Sequence, residues 1–279
     1  SLAINKDVIA KLPNEVRQII NSDAEVVNKL GSNAMGNYLY VYKGVYATDE
    51  DVPVNPLTGE RLRMGGNTST QAYFKAGDPI WVDVNGDYII DEKDKVIVGN
   101  SQPRMTGGIS INLRYKAFSI NTNCSFTLRR DIINKALADR FRAYGTPVAG
   151  KVNLTGSGAL TPIEAYNFWT EDNIYAQYPN PFDYTRSSII QPFRYDQTLF
   201  MEDGSYFKIN GISVAYTIPK KMLDFFRISR CQLNFSMNNI YTFSKYSGIN
   251  PENVNNLGYD TSGGYPNGRT VTFGVSMDF

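Results

Sequence analysis

The stretch Arg269-Thr270-Val271-Thr272-Phe273-Gly274-Val275-Ser276-Met277-Asp278-Phe279 alternates without a break. Val271, Phe273, Val275, Met277 and Phe279 share one parity; Thr270, Thr272, Gly274, Ser276 and Asp278 share the other. Successive side chains of a strand point to opposite faces, so this is a strand with one apolar face and one face of small polar groups. The pattern recurs upstream. Ile109, Ile111, Leu113 and Tyr115 alternate with Ser110, Asn112 and Arg114. Phe118, Ile120, Cys124, Phe126 and Leu128 alternate with Ser119, Asn121, Asn123, Ser125 and Thr127. Cys231, Leu233, Phe235, Met237, Tyr241 and Phe243 alternate with Gln232, Asn234, Ser236, Asn238 and Thr242, with a break at Asn239-Ile240. The phase is weaker over 206–218, although Ile212, Val214, Tyr216 and Ile218 keep it.

These runs exceed the usual strand length of about 5–6 residues and match the roughly 9–11 that a membrane-crossing strand needs. The connections alternate in length. Lys116-Ala117 is a tight turn and 219–229 a modest one, whereas 47–104, 129–202 and 246–268 are long. Short turns on one side and long loops on the other mark outer-membrane barrels. A soluble β-sandwich also alternates apolar and polar positions and stays open at this point. Strand length and the Asn, Ser, Thr and Gly of the polar face favour the barrel. Upstream, Ala3–Lys11 reads as a strand, 14–30 is partly at helical spacing, and NYLYVYKGVYAT (37–48) is aromatic-rich and extended.

Composition excludes several chemistries. The 279 residues contain no His, so a Ser-His-Asp triad, a Cys-His pair and a His-based zinc site are all absent. The formal charge of +1 argues against a nucleic-acid binder with a broad basic face. Cys124 and Cys231 share the apolar parity of their strands and read as small apolar groups rather than a disulfide. Glu171-Asp172 and Glu202-Asp203 are adjacent pairs, and neighbours on a strand face opposite ways. No catalytic or cofactor-binding residue is assigned, and the chain is not expected to be an enzyme.

The sharpest local motif runs from Asp83 to Asp94. Asp83, Asn85, Asp87, Asp91 and Asp94 place oxygen side chains at positions 1, 3, 5, 9 and 12, and Ile89 would supply a backbone carbonyl at position 7. Ca²⁺ takes six to eight oxygens, and this spacing curls them around one point. The ending in Asp, with Ile90 at position 8, resembles a dockerin-type loop. Tyr88 stands where the sharp turn calls for Gly, with Gly86 just before it. The alternative is a metal-free Asx-turn hairpin. The connection 129–202 carries many aromatics. Trp169, Tyr175, Tyr178 and Tyr184 are candidates for ligand or lid contact, against packing of the loop on itself or a girdle at the membrane rim. Arg129, Arg130, Arg140 and Arg142 read as solvated charge or as contacts to lipopolysaccharide phosphates.

Taken together, NYLYVYKGVYATDEDV (37–52), GDPIWVDVNGDYIIDEKDKVIVGNSQPRMTGGISINLRYKAFSI (77–120), EDGSYFKINGISVAYTIPKK (202–221), LNFSMNNIYTFSKYSGINPE (233–252) and YPNGRTVTFGVSMDF (265–279) resemble the C-terminal part of SusC/RagA-type TonB-dependent outer-membrane transporters of the Bacteroidota. The resemblance spans roughly 37–279 and is loose over 1–36. It implies an all-β fold: an antiparallel transmembrane barrel segment, about seven or eight strands of a 22-stranded barrel, in the outer membrane of a Gram-negative bacterium. Residues 1–279 would be one portion of that barrel, with 77–104 and 129–202 as extracellular loops. The implied partners are a SusD-like surface lipoprotein, the TonB complex acting through an N-terminal part not in this chain, outer-membrane lipid, and a glycan or peptide ligand. The competing reading is a secreted, calcium-stabilised β-sandwich that binds carbohydrate.

With the C-terminus in the periplasm, counting strands backwards places 47–104 outside the cell. A cysteine at Asn85 should therefore react with a membrane-impermeant maleimide in intact cells. Labelling only after the outer membrane is breached would reverse the topology.

Overall fold

A computed structural model describes residues 1–20, 27–34, 36–66, 72–144, 165–183, 186–223, 228–260 and 267–278. Val26, Tyr184 and Phe279 lie outside the described residues. In chain order the early strands are β1 (Leu2–Ile4), β2 (Gln18–Ile20), β3 (Val27–Lys29), β4 (Asn37–Tyr40), β5 (Tyr42–Val45), β6 (Arg63–Met64), β7 (Pro79–Trp81), β8 (Ile89–Ile90) and β9 (Lys95–Val98). Then come β10 (Met105–Tyr115), β11 (Phe118–Leu128), β12 (Asp131–Ile133), β13 (Met201–Asp203), β14 (Tyr206–Thr217), β15 (Arg230–Ser244) and β16 (Thr270–Asp278). Two helices, α1 (Lys135–Tyr144) and α2 (Arg186–Ile189), lie between β12 and β13.

One antiparallel sheet in the order β1-β10-β11-β14-β15-β16 carries the architecture. Its alternation continues across strands. Leu113, Ile120, Val214, Phe235 and Phe273 form one cross-strand row, and the next row is Asn112, Asn121, Ser213, Ser236 and Thr272. Apolar side chains such as Ile109, Leu113, Tyr115, Phe273 and Val275 are exposed. In a β-sandwich this face would be buried against a second sheet. Among the described residues no such sheet pairs with or covers it, so the sandwich reading is not favoured.

The weak phase of 206–218 has a structural cause. Asn123 pairs with Gly211 and Cys124 with Ile209, so Asn210 is an extra residue in β14. On the other side Gly211 faces Asn238 and Ile209 faces Tyr241, so Asn239 and Ile240 oppose Asn210 alone. Bulges of this kind add one residue and sharpen the local twist. Asn239 takes φ 54°, and its side-chain amide donates to the Gly268 carbonyl at 3.1 Å. Ser125 Oγ donates to Asn210 Oδ1 at 3.2 Å. Gly211 is needed here: a Cβ would sit 2.9 Å from Asn238 Oδ1 and 3.3 Å from the Met237 carbonyl.

Antiparallel order puts the turn 116–117 and the connection 219–229 at one end of the sheet. The three long connections leave from the other end and fold into a cap. In it β4 pairs with β9, β5 with β7 and β12 with β13, while β6 pairs with β8 in parallel. The cap has two apolar clusters. One gathers Leu39, Ile133, Phe141, Phe168, Phe193 and Phe200. The other gathers Tyr40, Tyr46, Phe74, Trp81, Ile90 and Ile190. Adjacent residues of β4, Leu39 and Tyr40, enter different clusters because strand side chains alternate. That explains why 37–45, extended as expected, stays out of the main sheet. The sheet thus holds six strands, against the seven or eight expected from the resemblance.

The N-terminal region also departs from expectation. Residues 18–20 and 27–29 pair antiparallel, with Gln18 opposite Lys29 and Ile20 opposite Val27, where the spacing predicts a partly helical segment. Asn14 and Glu15 take positive φ (55° and 58°), which interrupts a helix, and the β-branched Ile19, Ile20 and Val27 suit a strand. Of 3–11, only Ala3 and Ile4 lie in a strand, the end of β1.

Phe141 of α1 is fully buried and meets Tyr166, Phe168, Tyr178 and Phe193 edge-on at ring separations of 4.8–5.5 Å. Truncating it to Ala should cost about 3–5 kcal/mol of cap stability. Hydrogen exchange should then quicken in α1 and β12 while β15 keeps its protection. Uniform quickening would mean that cap and sheet unfold as one unit.

Candidate functional site

Two regions hold the residues that the sequence singles out: the acidic turn between β7 and β9, and the aromatic connection of the cap. The acidic turn closes on its own backbone. Asp83 Oδ1 accepts from Gly86 N–H at 2.7 Å and Oδ2 from Tyr88 N–H at 2.8 Å. Asn85 Oδ1 accepts from Asp87 N–H, and Asp87 Oδ1 from Ile89 N–H. Asp91 accepts from Lys93 N–H and caps a short 3-10 turn at 92–94. Asp94 joins the two ends of the loop: Oδ1 accepts from Val84 N–H and Oδ2 from Asp91 N–H.

Tyr88 occupies the left-handed region at φ 61°, as does Gly86 at 74°. A non-glycine residue there costs about 1–2 kcal/mol, and the Asp83 bond to Tyr88 N–H offsets it. The turn is thus built with Tyr at the position that usually demands Gly. Ile89 lies in β8 beside Arg63, and Ile90 is buried in the second cluster. Burial pushes the Asp94 carboxyl up; N–H bonds from Asp91, Val84 and Asn85 oppose this, and the charge of Asp83 adds to it. Among the described residues no group of three or more acidic side chains is placed to hold a metal. A cation at this turn would therefore draw on Asn85 and backbone oxygens as well.

The four aromatic candidates are not brought together. Trp169 is buried, donates from Nε1 to the Ala47 carbonyl at 3.2 Å, and covers Gly77. Gly77 takes φ +84°, and a Cβ there would lie 2.8 Å from the indole. Tyr178 packs on the Phe141 cluster. Tyr175 presents its ring to solvent, 85% exposed. Tyr184 lies outside the described residues. Trp169 and Tyr178 thus serve the cap's own packing, the role left open beside ligand contact.

An ion cluster that no motif signals fastens the second apolar cluster. Asp196 takes Arg194 in a two-point contact, Nε at 2.5 Å and a terminal nitrogen at 2.7 Å, and Lys95 Nζ at 2.8 Å. Lys95 also meets Glu92 at 2.7 Å. The Arg194 guanidinium lies 4.5 Å from the Tyr40 ring centre, and that ring stacks on Trp81 at 5.2 Å. Trp81 Nε1 donates to the fully buried Gln197 Oε1 at 2.8 Å. Burial would raise the Asp196 carboxyl, but bonds and charge from Arg194 and Lys95 outweigh it and hold it below the ordinary range. A second buried pair, Arg186 with Asp78, ties α2 to the segment before β7, with Nε donating to Oδ1 at 3.1 Å. Arg194 and Asp196 are near neighbours in the chain, but Lys95 and Asp196, and Arg186 and Asp78, are about a hundred residues apart, so no local spacing reveals those contacts.

No protein-family model matches the chain. Its curated relatives include TonB-dependent receptor P3 of Formosa agariphila, 27% identical over 299 aligned positions covering 99% of this chain and 26% of that receptor. TonB-dependent receptor SusC of Bacteroides thetaiotaomicron is 23% identical over 270 positions, covering 90% of this chain and 24% of SusC. Among solved structures, the RagAB peptide transporter superposes with a TM-score of 0.69 at 18% identity, over 100% of this chain and 26% of that one. The RagAB peptide importer in its open-open state gives 0.70 with the same coverage. The chain spans about a quarter of the length of these proteins. The long antiparallel strands and capped end are shared with the solved structures, and the curated relatives are TonB-dependent receptors, so the chain resembles a segment of that class. The resemblance to SusC/RagA-type receptors read from the sequence holds: SusC is among these relatives and RagAB among the similar structures, and these relatives are receptors and transporters rather than enzymes.

Proposed function

We propose that this chain is the barrel-wall and extracellular-cap portion of an outer-membrane nutrient importer. The complete protein takes up oligosaccharides or peptides together with a SusD-like surface lipoprotein, and the TonB complex supplies the energy through a part outside this chain. The observation that carries the reading is the sheet itself. Its rows alternate between an exposed apolar face suited to lipid and a face of Asn, Ser and Thr suited to a hydrated lumen. The cap closes one end of that sheet. Nothing in the reading needs a bond to be made or broken; the work is gated passage of a bulky ligand.

Loss of the gene should abolish growth on one class of oligomer and leave growth on its monomers intact, and loss of TonB should have the same effect. The protein should stay in the membrane pellet through a carbonate wash, and a surface lipoprotein should co-purify in detergent. Release by carbonate without detergent would sink the proposal.

Calcium at the 83–94 turn is a further part of the proposal. What supports it is the spacing of Asp83, Asn85, Asp87, Asp91 and Asp94, which gathers oxygen side chains along one tight turn. Calorimetric titration of the complete protein with CaCl₂ should show half-saturation at roughly 0.1–1 mM, the range of extracellular modules. Asp83→Asn should remove it. Absence of binding heat in the unsubstituted protein at several millimolar would leave the turn as a metal-free device.

A further inference from the structure

An open cleft of about 1270 Å³ lies between the β2–β3 hairpin, β9, and the corner where β10 begins and β11 ends. Small-ligand sites run to roughly 300–1,000 Å³, so the space suits an oligomer. Its charge is lopsided. Lys29, Lys93, Lys95, Arg104, Arg129 and Arg130 line it, against Glu92, Asp131 and Asp203. Six cations less three acids leave +3 in one cleft, while the whole chain carries +1.

The acids are already engaged. Glu92 pairs with Lys95 at 2.7 Å, Asp131 accepts from Asn100 N–H at 2.7 Å, and Asp203 accepts from Ser205 N–H at 2.9 Å. Of the six cations, Lys95 is paired with Glu92 and Asp196 and Lys93 with Asp91; the other four are not. Lys29, Arg104, Arg129 and Arg130 make no ion pair among the described residues. Arg130 is partly buried and meets only neutral carbonyls, Ser101 at 3.2 Å and Pro251 at 3.4 Å. Burial pulls its pKa down, the mark of a charge short of solvent and of a counter-ion. Arg104 and Arg129 are brought side by side, because Arg104 N–H donates to the Arg129 carbonyl at 3.3 Å. Arg129 holds φ 57°, a conformation that costs free energy. A partly desolvated guanidinium without a carboxylate is unfavourable, and an arriving oxyanion would compensate it.

We propose that this cleft binds a soluble oligomer carrying clustered oxyanions. Arg104 and Arg129 are its direct contacts, and Arg130 supplies charge beneath them. The inference does not depend on import, since binding can be read without transport.

The test uses the complete protein that contains this chain, purified in detergent, with hexaglutamate as the probe and hexaglutamine as its neutral match. Hexaglutamate should bind, hexaglutamine should not, and the affinity should fall steeply as salt rises. Arg104→Gln with Arg129→Gln should weaken binding roughly tenfold or more. Arg129→Gly removes the charge where the backbone already suits glycine, so it should weaken binding without loss of thermal stability. Lys220→Gln, at the opposite end of the sheet, should change nothing. Equal binding of the two peptides, wild-type affinity in the double variant, or an equal effect of Lys220→Gln would each overturn the proposal. So would loss of hexaglutamate binding only in nanodiscs of anionic lipid, which would assign the cleft to membrane headgroups.

Discussion

A strand reverses the facing of its side chains at every residue, and this protein has to hold one facing across five neighbouring long strands. A slip of one residue anywhere would turn an entire apolar row to the polar side. The bulge at Asn210 is where that constraint is met. Below it, Phe207 and Ile209 share the facing of Phe126 and Cys124; above it, Ile212, Val214 and Tyr216 share the facing of Thr122, Ile120 and Phe118. Without the extra residue one of the two sets would face the wrong way. β15 answers with Asn239 and Ile240 opposite Asn210, so its own parity is unchanged from Met237 to Tyr241. β16 pairs with β15 only up to Asn238, short of this double irregularity, and therefore keeps a regular ladder.

The cap obeys a different logic. Long connections without a core of their own are rarely ordered, because ordering the backbone costs about 1–2 kcal/mol per residue. Here β4 acts as a wall shared by two cores, Leu39 on one side and Tyr40 on the other. The buried ion groups add direction to this packing. Asp196 has Arg194 in a two-point geometry, with Tyr40 and Trp81 rings beside it, and such a group fits only one arrangement of β4, β9 and the segment before β13. Buried ion pairs add little net stability compared with apolar groups of the same size. Their contribution here is to fix which strand meets which.

The sheet was legible in the sequence because its signal is local. Strands 105–115, 118–128, 231–243 and 269–278 each carry enough period-two residues to be read alone, and Asn239-Ile240 already stood out as a break. Asn210 did not, since a single extra polar residue in a run of alternating polar positions leaves only a blurred phase. The pairing of 18–20 with 27–29 is hidden because Val16, Ile19, Ile20 and Val27 satisfy a helical spacing as well as a strand one, and the positive φ of Asn14 and Glu15 leaves no mark in composition. The acidic turn was legible as a motif, and its closure by Asp83 and Asp94 follows from the spacing of its oxygens. The cap was legible only as aromatic content. Which aromatic packs inward and which faces solvent is decided by partners such as Phe141 and Gly77, far away in sequence, so Trp169 and Tyr175 look alike until the fold separates them.

The third long connection shows how cap and sheet become one device. Lys208 shares the polar parity of β14, and its ammonium meets Glu252 at 2.5 Å. One residue earlier, the Pro251 carbonyl accepts from Arg130 at the end of β11. The segment after β15 is therefore fastened to the polar side of the sheet and not to its apolar side. A connection tied at that point is held beside the polar rows of the sheet. The same Arg130 borders the basic cleft. A ligand that draws on Arg130 there competes for the group that helps hold the segment at 250–252 in place. The cleft and the position of this segment thus share one guanidinium, that of Arg130.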